Sequence, residues 1–167
     1  MKAQDKELLD HIADYFERLN VDFEKETIGG LDSLVIHYTI EEEILPEDCT
    51  ITIHHPDANC TAIQLLFSMF SILDSEKTAE VSEFFDQMNS LLSLGYFGAV
   101  KDSGFVYFSY AFLTDKLTDE NILSMLNALF GILTLTAAKG RELLLPLVLG
   151  KITKEELLNE DLSIVQD

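Results

Sequence analysis

The run Phe105 to Leu113, FVYFSYAFL, constrains the fold of this chain more than any other stretch. In an extended strand, successive side chains alternate between the two faces of a sheet. Val106, Phe108, Tyr110 and Phe112 then share one face, and Phe105, Tyr107, Ala111 and Leu113 share the other, with Ser109 among them. Both faces are apolar, so this strand needs cover on both sides or leaves apolar surface open. Tyr96 to Val100 precedes it, joined through Lys101-Asp102-Ser103-Gly104, where glycine is free to take a positive φ. The two runs are expected to form a hairpin. Upstream, Val81, Phe84, Phe85, Met88, Leu91 and Leu92 repeat at helical spacing, with Thr78 as expected N-cap and Gly95 as expected C-cap glycine.

The rest of the chain arranges itself around that helix and hairpin. Leu8, Leu9, Ile12, Tyr15, Phe16 and Leu19 form one stripe of a first helix. Strand patterns follow at Val21 to Ile28, at Ser33 to Ile40 after a Gly29-Gly30 turn, and at Cys49 to His54 after the acidic loop Glu41 to Asp48. His55-Pro56-Asp57-Ala58-Asn59 reads as a turn, and Thr61 to Leu73 as a strand apolar on both faces. A third helix starts at Thr118. One of its faces carries Ile122, Leu126, Leu129, Phe130 and Leu133, and a second carries Leu123, Met125, Ile132 and Leu135. Gly140 is expected to bend or end it, leaving Leu143 to Leu149 as a short helical turn around Pro146. Thr153 and Glu156 have the spacing of a capping box for a last small helix, and the tail from Asn159 onward reads as loose. The order α-β-β-β-(β)-α-β-β-α-(α) predicts an α+β domain, an antiparallel sheet flanked by helices. It spans 1–167 as a single domain, with a core at about 4–150 and a helical extension over 151–167.

The chain has 167 residues, 47% of them apolar, enough for one buried core. Its formal net charge of -19 repels nucleic-acid phosphates and anionic lipid alike. Residues 1–60 are the more acidic part, with 15 acids against 4 bases. Two cysteines, Cys49 and Cys60, make no disulfide framework, and a reduced pair in a cytoplasmic protein is the expectation. MKAQDKELLDH has no apolar core of a signal peptide, and Ile122 to Leu149 is interrupted by Lys139, Arg141, Glu142 and Pro146, so no membrane span is expected.

Clusters that carry chemistry are weak. His54, His55, Asp57 and Cys60 lie close in sequence, but neither C-x-x-C nor H-x-x-x-H occurs, and adjacent histidines on a strand point to opposite faces. No metal and no cofactor are expected. Glu41, Glu42, Glu43, Glu47 and Asp48 lack the order of a calcium loop and read as a solvated acidic loop. No nucleophile elbow, P-loop or G-x-G-x-x-G is present, and no enzyme is expected. The aromatic strands lack the basic residues that base-stacking platforms need, since Lys101 alone lies nearby.

A helix ending Asn89-Ser90-Leu91-Leu92, then Gly95-Tyr96-Phe97, a turn, Gly104-Phe105-Val106-Tyr107-Phe108-Ser109-Tyr110, and a helix opening at Thr118 together resemble the YbjN-like family. The resemblance covers roughly residues 4–150. It implies the fold of the type III secretion chaperones, a Tir-chaperone-like α-β-β-β-α-β-β-α domain that binds protein segments and frequently dimerises. The 151–167 extension and the apolar Leu143 to Leu149 run depart from that pattern.

The surplus apolar surface predicts a protein-binding or dimer interface built on Val106, Phe108, Tyr110, Phe112 and Tyr96 of the hairpin and on Leu123, Met125 and Ile132 of the third helix. The expected function is a non-enzymatic, chaperone-like module that holds a protein partner or client segment, with a homodimer expected. The alternative is a small-ligand or metabolite sensor with an apolar pocket between sheet and third helix.

Overall fold

The structure, a computed structural model, describes residues 3–38, 45–72 and 74–159. Glu41 to Ile44 of the acidic loop, the strand end at Thr39 and Ile40, Leu73, and the tail over 160–167 lie outside the described residues. The elements are α1 (Ala3–Arg18), β1 (Phe23–Ile28), β2 (Leu31–His37), β3 (Asp48–Asp57), β4 (Cys60–Ser71), α2 (Ser75–Leu91), β5 (Tyr96–Val100), β6 (Phe105–Leu113), α3 (Asp119–Val148) and α4 (Lys154–Asn159). The six strands form one antiparallel sheet in the order β1-β2-β3-β4-β6-β5. This is the α+β arrangement expected from the element pattern.

One face of that sheet carries the core. Leu34 pairs with Ile51 and Ile51 with Leu65; Cys49 pairs with Phe67, Phe67 with Phe108, and Phe108 with Phe97. Over these positions lie α1 on β2 and β3, α3 on β4 and β6, and α2 beside β5. Of the α1 stripe, Leu9, Ile12 and Phe16 are buried, with Ala13 beside them, and Leu8 and Tyr15 pack against the core, while Leu19 lies past the helix end and is exposed at 51%. A chain of rings then ties the layers together. Phe16 meets Phe130 of α3 at 5.2 Å, Phe130 meets Phe67 at 6.2 Å, Phe67 meets Phe108 at 5.9 Å, and Phe108 meets Phe97 at 4.9 Å. These separations are those of favourable edge and offset contacts.

The β4 strand solves its two-sided apolar pattern with a bulge. Ser68 pairs with Tyr107, but Phe70 pairs with Val106, so Met69 is an extra residue in β4. The slip turns Phe70 and Ile72 back to the helix side, where both are buried with Met69. Leu66 stays on the opposite face, half-buried.

Five local expectations are corrected. Gly95 does not cap α2, which ends at Leu91 with Leu92 as its extended C-cap, and the glycine takes its positive φ three residues later at the entry to β5. The cap of α2 is Asp74, whose carboxylate accepts the Glu76 N–H at 2.9 Å, and Thr78 sits within the first turn, its hydroxyl bonded to the Asp74 carbonyl. The β3 strand runs through His55 to Asp57 across a register shift, leaving Ala58 and Asn59 as the turn. Gly140 neither bends nor ends α3. A Cβ there would lie 2.3 Å from Phe97 Cε1, so glycine is what lets the helix settle onto the β5 ring. Pro146 stands in the last turn of the same helix, where the N–H it lacks would have bonded exposed Glu142. Two caps are as expected. Thr118 accepts the Asn121 N–H at 3.3 Å, and Thr153 and Glu156 bond each other's backbone N–H groups, at 2.7 Å and 3.2 Å.

Candidate functional site

All the helix packing described above lies on one side, and the opposite face of β4, β6 and β5 carries no layer from the described residues. Register decides what that face presents. Leu66 pairs with Ser109 and Ser109 with Tyr96; Ser68 pairs with Tyr107 and Tyr107 with Gly98; Phe105 pairs with Val100. Tyr96, Val100 and Leu113 are exposed at 46%, 47% and 60%. Phe105, Tyr107 and Leu66 are half-buried. Polar neighbours fill the low ground between them: Ser109, Ser68 and Thr52 are buried, and the Gln64 amide donates to the Ser109 hydroxyl at 2.9 Å.

The aromatic band on this face is built by glycine. A Cβ at Gly98 would fall 2.7 Å from Tyr107 Cζ, so only glycine lets the Tyr107 ring lie across the neighbouring strand. In that position Tyr107 meets Tyr96 edge-on at 6.1 Å and stacks with Phe105 at 6.0 Å. Burial raises the Tyr107 phenol, with a further push from Tyr96, so the hydroxyl stays a neutral donor. The edge strand β5 is held in place by Asn89 of α2. Its side-chain carbonyl accepts the Phe97 N–H at 2.7 Å, and its amide donates to the Phe97 carbonyl at 3.0 Å.

The residues singled out from sequence fall on three different surfaces. Val106, Phe108 and Phe112 are 0%, 0% and 8% exposed, and Tyr110 is half-buried; all four face the helices. Val106, Phe108 and Phe112 cannot meet a partner in this fold, because the helices supply the second layer themselves, and Tyr110 keeps only part of its surface open. Tyr96 lies on the uncovered face, together with Phe105, Tyr107 and Leu113, none of which the expected interface included. Leu123 and Met125 pack against the core from α3, while Ile132 points outward at 55% exposure. What the sequence pattern lacked was the bulge that returns Phe70 and Ile72 to the helix side, and the partner strand that sets which face of β6 is inside.

The polar clusters are structural in their contacts. His55 Nε2 lies 2.9 Å from Asp5 Oδ2 and its Nδ1 3.4 Å from Thr61 Oγ1, tying α1 to the β3–β4 turn. His11 Nδ1 lies 2.5 Å from Asp119 Oδ2, tying α1 to α3. The Thr61–His55–Asp5 line has the order of a nucleophile, base and acid. The groove beside it is lined by Asp5, Glu7, Asp115 and Asp119, whose carboxylates would oppose any developing oxyanion. His54 faces the other side of the strand, bonded to Thr52 at 2.7 Å. Among the described residues no group of three or more His, Cys, Asp or Glu is placed to hold a metal ion. Glu47 lies 3.6 Å from Arg141, and Asp48 accepts the Ser68 hydroxyl at 2.6 Å. Both cysteines are free, Cys49 opposite Phe67 and Cys60 opposite Asp57, at different ends of the strand pair. Burial pushes the Cys49 thiol well up, and desolvation followed by Asp115 raises Cys60, so neither is an activated nucleophile.

The space between sheet and α3 is occupied by the Phe16, Phe67 and Phe130 rings. Grooves among the described residues open elsewhere. One, about 780 Å³, runs between α2 and the end of β5, lined by Ser82, Glu83, Asp86, Ala99, Lys101 and Asp102. No family model matches the chain, and no curated protein matches it.

Proposed function

We propose that this chain is a non-enzymatic protein-binding module, chaperone-like in action, that holds an extended or partly unfolded protein segment against the uncovered face of its sheet. The observation that carries the reading is the Tyr96–Tyr107–Phe105 band with Val100, Leu113 and Leu66 around it, apolar and aromatic surface on the side of the sheet that no described helix covers. Tyrosine and phenylalanine of this kind give large contact area at little conformational cost and are enriched in protein interfaces. The net charge of -19 favours clients with basic segments and disfavours nucleic acid and anionic membrane. A cytoplasmic setting agrees with two free, unactivated thiols. Membership of the YbjN-like family is part of the same proposal. The order α1, strands, α2, hairpin, α3 supports it, with one more strand before α2 than the Tir-chaperone-like pattern has.

The test is suppression of aggregation of a heat-unfolded basic model client by the purified full chain, read by light scattering. Tyr107→Asp and Leu113→Asp sit on the exposed face and leave the core intact. The expected result is suppression by the native chain and its loss in both variants. No suppression by the native chain, or full suppression by both variants, removes this face from the function.

A further inference from the structure

The α3 helix has an outer face as well as an inner one. Ser124, Ala128, Gly131, Ile132 and Leu135 follow one another at helical spacing along it, and all five are exposed. Ile132 and Leu135 are exposed at 55% and 61%. No charged residue occurs between Glu120 and Lys139, in a chain whose net charge is -19. No contact among the described residues accounts for Gly131. Its φ is an ordinary helical one, and an added Cβ would meet nothing within 4 Å, unlike Gly140, which Phe97 requires. A mid-helix glycine costs stability relative to alanine, so a glycine that no intrachain contact explains points to a close approach from outside.

We infer that the outer face of α3 is a self-association surface on which two copies pack antiparallel, crossing at Ala128 and Gly131. Three observations select a second copy as the occupant. Small residues at a crossing let helix backbones come close, with Ile132 and Leu135 packing to either side. An uncharged stripe is where two strongly acidic chains can meet with least repulsion, whereas the α1 and α2 surfaces carry exposed carboxylates in both copies. The ends of the stripe are also complementary to themselves. Setting Ala128 of one copy against Gly131 of the other brings Lys139 of each beside Glu120 of its mate. Neither Lys139 nor Glu120 has an ion-pair partner among the described residues. The surface lies on the opposite side of the molecule from the uncovered sheet face and does not depend on the client-binding reading.

Sedimentation velocity on the full chain tests it, over a concentration series, with thermal melts to confirm that each variant is folded. A reversible dimer is expected, with Ile132→Asp weakening it about tenfold or more, since two buried carboxylates would face an apolar seam. Lys139→Glu and Glu120→Lys should each weaken it several-fold, and the double variant should restore it. That rescue is specific to the antiparallel register. A native chain that stays monomeric throughout, a dimer indifferent to Ile132→Asp, or a double variant no better than the singles would each overturn the inference. So would co-sedimentation of a monomeric native chain with phosphatidylcholine vesicles, which would make lipid the cover of this face.

Discussion

Two glycines in the same helix should respond in opposite directions to the same substitution. Alanine is favoured over glycine in a helix interior by about 0.8–1 kcal/mol. At Gly131 the new methyl meets nothing within 4 Å, so Gly131→Ala should stabilise the protomer by about that amount. At Gly140 the methyl carbon would lie 2.3 Å from Phe97 Cε1 and 2.4 Å from Cζ, well inside the roughly 3.5–4.0 Å of a favourable carbon contact. Phe97 has little room to retreat. It is 2% exposed, its ring lies 4.9 Å from that of Phe108, and both its backbone groups are held by Asn89. Overpacking of this kind costs about 1–3 kcal/mol, and an ångström-scale overlap with a boxed-in ring belongs near the top of that range. Propensity cancels between the two variants, so they should differ by about 2–3 kcal/mol, or roughly 5–10 °C in melting temperature for a chain of this length. Urea and thermal unfolding followed by far-ultraviolet circular dichroism measure this, at concentrations where self-association is absent. Equal shifts for the two variants would refute the reasoning, because they would show that Gly140 is no more constrained by Phe97 than an exposed glycine is.

Burial holds the Tyr38 phenol well above its ordinary range, with a further push from Cys49, while its hydroxyl bonds Thr134 Oγ1 at 3.0 Å. A group whose folded pKa is raised contributes stability below its unfolded value, near 10, and that stability is lost as pH climbs above it. Melting temperature should therefore fall with alkaline pH more steeply in the native chain than in Tyr38→Phe, and parallel slopes would count against it. Asn89→Ala leaves the Phe97 N–H and carbonyl without their partner and should cost about 1–3 kcal/mol. Hydrogen exchange at the Phe97 amide should speed up in that variant, and unchanged protection would show that Asn89 does not hold the β5 edge.

The helices were legible because each announces its inner face at a regular period. Leu9, Ile12 and Phe16 of α1 and the Ile122, Leu126, Leu133 line of α3 are buried as their spacing requires. Thr118 and Thr153 were legible for a different reason: a cap is a local hydrogen-bond pattern that needs no tertiary context. Gly140 and Pro146 were misleading because a helix breaker is only a local cost. Docking of α3 onto Phe97 outweighs it, and nothing near Gly140 in sequence reveals where Phe97 will lie.

The binding face is the harder case, and the reason is parity. A strand apolar on both sides gives two sets of residues and no rule for choosing between them, since alternation is symmetric. The choice is made where β4 turns its apolar residues to one side: Ile63, Leu65 and Phe67 face the helices, and one extra residue at Met69 brings Phe70 and Ile72 to the same side. Once that strand is fixed, its neighbour has no freedom. Phe108 must face Phe67, and Tyr107 must lie on the far side across Gly98. The small residues then acquire a meaning that hydrophobicity alone cannot assign. Gly98 makes room for a ring on the uncovered face, Gly140 makes room for a ring under α3, and Gly131 makes room for nothing among the described residues. A glycine whose space is filled reports on the fold, and a glycine whose space is empty reports on what the fold meets.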